Sequence, residues 1–375
     1  MKMASTAQAE GSGTPATAGA PDASSPTPSH HAPAPAAAAP AATTKDSASV
    51  RGMIFLRDRG IFVLWALVIV AFSFWANPYF ATFNNAVLIA NAAAISAIFA
   101  AGVAVGIICG ALDLSIPGVA ALSSCVAGWM LVNGLPIWLA LATGMILAAL
   151  VGLANGLISL RGFNPIIVTI AMLSITSGAA AIIAGGYTFP GLSMLDFMGT
   201  QRYLGVPAPV WICAGVFLVG TVFLTKTRDG IRLMAVGGNA EAVRRSGIHS
   251  DRYIVFAFVI SSTCAGLGGL VTTAVVTEAS PSASPALIFT ALTAVALAGV
   301  SLAGGRGSLP RVLVGALVLA TISNGLTIKG IQPYWATGVT GVLLIGSLTL
   351  ELWVTKSVSK RLMATAQASV HTGTR

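Results

Sequence analysis

Residues 226–252 read KTRDGIRLMAVGGNAEAVRRSGIHSDR. The stretch carries six cations (Lys226, Arg228, Arg232, Arg244, Arg245, Arg252) and three acids (Asp229, Glu241, Asp251). On both sides of it, from Ile61 to Leu350, the chain is almost free of charge. One polar segment inside a body of apolar runs is the pattern of a bundle of membrane-spanning helices with a single large loop in water.

Composition agrees with that reading. Of 375 residues, 55% are hydrophobic and 8% charged, which excludes an ordinary soluble globule. The formal net charge of +9 is explained by cations held on one side of a bilayer and implies no nucleic acid partner. Cys109, Cys125, Cys213 and Cys264 all fall in apolar runs, so no disulfide framework is indicated. No spacing of His, Cys and carboxylates suits a metal, and no Gly-rich loop ends in Lys-Ser or Lys-Thr. The chain is therefore expected to hold no cofactor, to be no enzyme, and to leave any ATP hydrolysis to a separate subunit.

Apolar windows broken by Gly, Pro, Asn or charge give ten candidate spans: 61–80, 86–110, 116–133, 136–160, 165–184, 209–225, 253–276, 286–303, 309–328 and 334–355. The division at Asn133-Gly134-Leu135-Pro136 decides the parity of all later spans. Placing the N-terminus in the cytoplasm puts eighteen Lys and Arg inside and only Arg202 and Lys329 outside. That bias supports an even number of spans with both termini cytoplasmic. The expected organisation is a disordered Ala/Pro-rich tail over 1–56, a membrane domain over 57–355 containing the cytoplasmic loop 226–252, and a cytoplasmic tail over 356–375. The first apolar run, behind Arg57-Asp58-Arg59, reads as a spanning helix and not a cleaved signal.

Two segments resemble each other. NGLISLRGFNP (Asn155 to Pro165) and NGLTIKGIQP (Asn324 to Pro333) lie 169 residues apart, and the same offset carries helix 2 onto 7, 3 onto 8 and 5 onto 10. By the charge bias the two copies run in opposite directions. The expected class is therefore an all-α polytopic membrane protein of about ten helices with an inverted repeat (helices 2–5 and 7–10), a transporter signature.

Asp113 is the one acid well away from the ends of the spans. A carboxylate at bilayer depth costs roughly 2.5–3.5 kcal/mol on insertion scales, so it must face protein or water. Gly102, Gly106 and Gly110 precede it at spacings of four and let another helix approach closely. Asp113, Ser115 and Pro117 form a stop-and-restart signal, read either as a broken helix lining a substrate path or as a capping turn. Asn91, Asn155 and Asn324 are amides inside apolar helices, where they either bond a neighbouring helix or touch substrate.

In the polar stretch, Gly238 precedes a local helix signal. Asn239 is an N-cap, Glu241 sits at the positive end of the helix dipole, and Ala242 lies in the body. Arg244 and Arg245 sit at the negative end, and after Ser246 comes Gly247, suited to the left-handed C-terminal position. A helix of about two turns is marginal alone in water, so it is expected to dock on something.

Taken together, GIICGALDLSIPGVAALSS (106–124), RGFNPIIVTIAMLSITSGAAAIIAGG (161–186), TRDGIRLMAVGGNAEAVRRSGI (227–248) and AVALAGVSLAGGRGSLPRVLVGALVLATISNGL (294–326) resemble the membrane subunits of bacterial ABC importers of the ribose, xylose and galactose type. That family is related to the branched-chain amino acid permeases. The resemblance covers about residues 60–355. It implies a permease in the bacterial inner membrane that pairs with a second permease copy, identical or paralogous. It also implies a cytoplasmic ABC ATPase engaging the 239–246 helix, and a periplasmic binding protein that delivers a monosaccharide. Two other functions fit the same residues: an ion-coupled secondary transporter, for which a broken helix with one acid is equally suited, and an ABC permease for branched-chain amino acids.

Overall fold

A computed structural model describes the backbone of residues 44–372 and the side chains of 59–353. The tail expected over 1–56 therefore lies largely outside the described residues. Among the described residues the chain forms eleven α-helices: α1 (Thr44–Trp75), α2 (Phe83–Cys109), α3 (Ile116–Val132), α4 (Ile137–Ser159), α5 (Pro165–Ala184), α6 (Ala208–Lys226), α7 (Arg228–Arg245), α8 (Ser250–Val276), α9 (Ala286–Leu297), α10 (Leu309–Ile328) and α11 (Pro333–Thr372). Seven of them are long and apolar enough to cross a membrane, and residues 59–75 of α1, α3 and α9 are shorter apolar helices. The protein is an all-α polytopic membrane protein. A two-residue hairpin, β1 (Arg202–Tyr203) with β2 (Val206–Pro207), lies in the link from α5 to α6.

Several sequence boundaries move for identifiable reasons. Helix α1 stops at Trp75, short of the expected residue 80, because Asn77-Pro78 cannot continue it: proline lacks an N–H and disfavours helix at the residue before it. At its start α1 takes in 44–56, which had been assigned to the tail. No proline lies between Pro40 and that helix to prevent it. Helix α11 likewise runs past 355 to Thr372, with neither Gly nor Pro from 356 until Gly373. The eighth window, expected to reach 303, ends at Leu297, because Gly299 turns left-handed (φ +67°) and the chain folds into a turn closed by Ser301 N–H donating to Arg306 O at 3.0 Å. The division at residues 133–136 is a real turn, with Gly134 at φ +76° and Leu135 N–H donating to Met130 O at 3.0 Å.

The centre of the bundle is the pair α2 and α8, each of 27 residues, about 40 Å at 1.5 Å per residue. They run antiparallel. A Cβ added at Gly102 would meet Ser261 O and Cys264 Cβ at 2.8 Å each, while Cys109 lies beside Tyr253. Around this pair the packing is matched: α8 carries α3 and α4, α2 carries α9 and α10, and α3 packs on α5 as α9 does on α11. Because α2 is hydrophobic all round and mostly buried, protein rather than lipid surrounds it.

The polar stretch is largely helical, which corrects its reading as a loop with one short helix. Thr227 caps α7, its side-chain oxygen accepting from Gly230 N–H at 3.0 Å, and Gly230, Leu233 and Val236 form its buried stripe. That stripe packs α7 against α2, α6 and α8. The three glycines of α7, Gly230, Gly237 and Gly238, lower its intrinsic helix propensity, and tertiary packing overrides them.

Candidate functional site

Two places in the bundle gather the residues singled out from sequence. The first is the break between α2 and α3. Gly110 ends α2 in the left-handed region (φ +82°), with Gly110 N–H on Ile107 O at 2.9 Å and Ala111 N–H on Gly106 O at 2.8 Å, a Schellman closure. The chain then turns back against α2, with Ala111 O lying close over Gly106, before α3 starts. Asp113 lies in this return, 1% exposed. Its Oδ1 accepts from Ser115 N–H at 2.9 Å and Ser115 Oγ at 2.6 Å, and its Oδ2 accepts from Ser262 Oγ at 3.1 Å. Asn155 Nδ2, from α4, donates to Ser115 Oγ at 2.9 Å.

Asp113, Ser115 and Asn155 are thus brought together, and with Ser262 they tie α3, α4 and α8 at one buried point. Burying a carboxylate is tolerable only when donors replace its water, and three do so here. Asn155 Oδ1, in a residue 0% exposed, has no hydrogen-bond partner, and the Ser261 hydroxyl lies beside the same Asp113 carboxyl. The other two amides lie elsewhere. Asn324 Nδ2 on α10 donates to Asn85 Oδ1 at 2.8 Å, near the opposite end of α2, and Asn91 Oδ1 is buried without a partner. Ser262 and Asn85 went unnoticed in the sequence. The Ser261-Ser262 pair inside an otherwise apolar helix was the available signal for the first.

The second place is the outer half of α7. Asn239 has φ −163° and ψ 93°, outside the helical region, and so divides α7 into an inner and an outer segment. Asn239 Oδ1 accepts from Ala242 N–H at 2.9 Å, as an N-cap does. Glu241 pairs with Arg244 one turn on and with Arg245 Nε at 3.1 Å, all three exposed. Gly247 closes the segment at φ +82°. Arg244 first, then Arg245, hold the Glu241 carboxyl below its ordinary range. The pair is therefore intact at neutral pH and is lost only as pH falls below the usual glutamate value. Removing the cap by Asn239→Ala should cost about 1 kcal/mol of local stability. We expect trypsin to cut after Arg244 or Arg245 roughly fivefold faster in the membrane-embedded protein, with cleavage elsewhere unchanged.

The inner half of α7 meets α2 and the 298–308 turn backbone to backbone. Gly305 N–H donates to Ile108 O at 2.8 Å. A Cβ on Gly237 would overlap Ile108 O and stand 2.8 Å from Gly305 N, and one on Gly305 would stand 2.6 Å from Gly238 Cα. Three segments far apart in sequence are locked there with no side chain between them.

Comparison with known proteins supplies the family. The family described as branched-chain amino acid transport system, permease component, matches residues 85–348. The ribose import permease protein of Escherichia coli (strain K12) is 32% identical over 291 residues, covering 76% of this chain and 91% of that protein. The D-allose transport system permease protein of the same strain is 30% identical over 307 residues, 81% of this chain and 94% of that protein. Its L-arabinose transport system permease protein is 29% identical over 301 residues, 80% and 91% respectively. No solved structure matches the chain. With more than two thirds of its length matched by one family and by these transport permeases, the chain belongs to the branched-chain amino acid transport system permease component family.

Proposed function

We infer that the chain is the membrane subunit of an ATP-driven, binding-protein-dependent importer that moves a monosaccharide across the bacterial inner membrane by alternating access. The observation that carries this reading is the outer segment of α7. It is capped at both ends and ion-paired on its surface, and it hangs from an inner segment clamped to the bundle. A short helix so exposed needs a partner to bear on. A cytoplasmic ATPase pressing on Gly238 to Gly247 would move the inner half of α7 and, through the backbone contacts at Gly237, the end of α2 and the 298–308 turn together. Both termini are placed in the cytoplasm on the charge bias, and a second permease copy and a periplasmic binding protein complete the assembly.

The matched packing of α2–α5 and α8–α11 supports reading the two halves as an inverted repeat. The sugar assignment rests on the relatives, whose printed substrates are ribose, allose and arabinose. The family description favours a branched-chain amino acid as the second reading. Competition of labelled ribose and labelled leucine in cells expressing the complete importer separates the two.

Replacing Glu241 by Lys should set three cations against one another and remove the pairing. Uptake should fall at least tenfold while membrane insertion and the apparent melting temperature stay within error. Arg244→Glu should behave alike. Normal uptake in both would remove the ATPase from this segment.

A further inference from the structure

A cavity of about 370 Å³ lies between α2, α9, α10 and α11. It sits toward the end of α2 where Asn85 meets Asn324, away from α7. Ser96, Thr290, Ser323, Thr337 and Thr340 supply hydroxyls to its wall, Phe289 supplies a ring, and no charged side chain lines it. In the other half of the bundle Gly118 lets α5 lie directly on α3, with a built Cβ only 2.8 Å from Leu173 O.

Three of the five hydroxyls are not equivalent to free ones. Ser96 Oγ donates to Ala93 O at 3.1 Å, Thr290 Oγ1 to Ala286 O at 2.9 Å and Thr340 Oγ1 to Ala336 O at 2.9 Å. Their protons are spent on their own helices, and what they keep is lone pairs. The wall is therefore mostly apolar and uncharged with five hydroxyls set into it, and its complement is a neutral molecule that itself carries several hydroxyls. A zwitterion would shed the water around its ammonium and carboxylate with no counter-charge to meet either. A polyol loses only hydroxyl hydration, which these oxygens replace, and its C–H face can lie on Phe289. The volume falls within the roughly 300–1,000 Å³ of small-molecule sites.

We propose that this cavity is a holding site for a neutral monosaccharide inside a single subunit, on the side from which the sugar enters. This rests on the sugar reading given above and adds to it the residues that hold the sugar, none of which is an ionisable group.

The test uses the complete importer in proteoliposomes, with labelled ribose, labelled leucine and ATP hydrolysis followed in parallel. Thr290→Val with Thr340→Val keeps the volume and removes two acceptors. Ribose uptake should fall at least tenfold while hydrolysis stays within twofold of the parent, and Thr290→Ser with Thr340→Ser should restore uptake. Ribose uptake within twofold of the parent in the valine variant overturns the site, as does a parallel loss of uptake and hydrolysis, which assigns the hydroxyls to packing. A parent complex that takes up leucine and not ribose instead overturns the sugar reading itself. Independently, Thr337→Cys should react with a polar thiol reagent at least threefold more slowly in millimolar ribose, and equal rates with and without ribose count against the site.

Discussion

Gly237→Ala should reduce uptake more than tenfold and lower the thermal stability of the protein, whereas Gly238→Ala, one residue on, should do little. The two glycines differ only in what surrounds them. A Cβ on Gly237 runs into the carbonyl oxygen of Ile108 and stands 2.8 Å from Gly305 N, the two atoms that share a 2.8 Å hydrogen bond. Both neighbours are backbone and cannot rotate aside. A Cβ on Gly238 meets nothing nearer than Gly305 Cα at 3.8 Å, an ordinary contact. Overpacking in a core costs typically 1–3 kcal/mol, and loss of the bond at Gly305 adds to it, so about 3–5 kcal/mol is expected for the first and under about 1 kcal/mol for the second. Detergent-solubilised melting followed by size exclusion gives the stability, and ribose uptake gives the coupling. Equal behaviour of the two variants would mean that α7 is not held at this contact.

Asp113 offers the second large contrast. Asp113→Ala strips the acceptor from Ser115 N–H, Ser115 Oγ and Ser262 Oγ, all inside the bundle. A serine hydroxyl can turn to another acceptor, but the backbone N–H of Ser115 cannot. At about 1–3 kcal/mol for each buried group left unpaired, the expected loss is around 3 kcal/mol, or roughly 6–12 °C in apparent melting temperature on the scale of soluble domains of about 150–250 residues. Asp113→Asn keeps an oxygen for both bonds to Ser115 and can donate its amide to Ser262 Oγ, so it should melt within about 3 °C of the parent. On the proposed reading, in which ATP and not a titrating carboxylate drives the cycle, it should also retain at least half of the uptake. A normally folded Asn variant with no uptake would instead favour a carrier that needs the charge, the ion-coupled alternative.

How far these arguments could be anticipated from residues alone differs from place to place. Caps and turns were legible because their chemistry is local: Asn239 bonds Ala242 three residues away, and Gly247 adopts the left-handed backbone that its position suggested. The apolar windows located the helices because spanning length and hydrophobicity suffice for that. The inner half of α7 was missed because its three glycines speak against helix, and only Leu233 and Val236 docking on other helices outweighs them. The Asp113 cluster was half visible. Asp113 and Ser115 are neighbours, but Ser262 is 149 residues away, and no periodicity connects them. The hydroxyl-lined cavity was not visible at all, since it is a property of where α11 stands relative to α9, and its serines and threonines read individually as helix residues bonded to their own turns.

The break in α7 at Asn239 has a consequence for how such a protein can change over time. Inboard of it, Gly230, Leu233 and Val236 are buried and Gly237 is pinned; outboard, from Ala240 to His249, Ala240 and Val243 rest half-buried against the core, Ile248 is half-buried and the other side chains are exposed. Mutations on the exposed face of the outer turn can therefore accumulate without disturbing the helices beneath, so that water-facing surface and the architecture held in lipid are free to drift at separate rates.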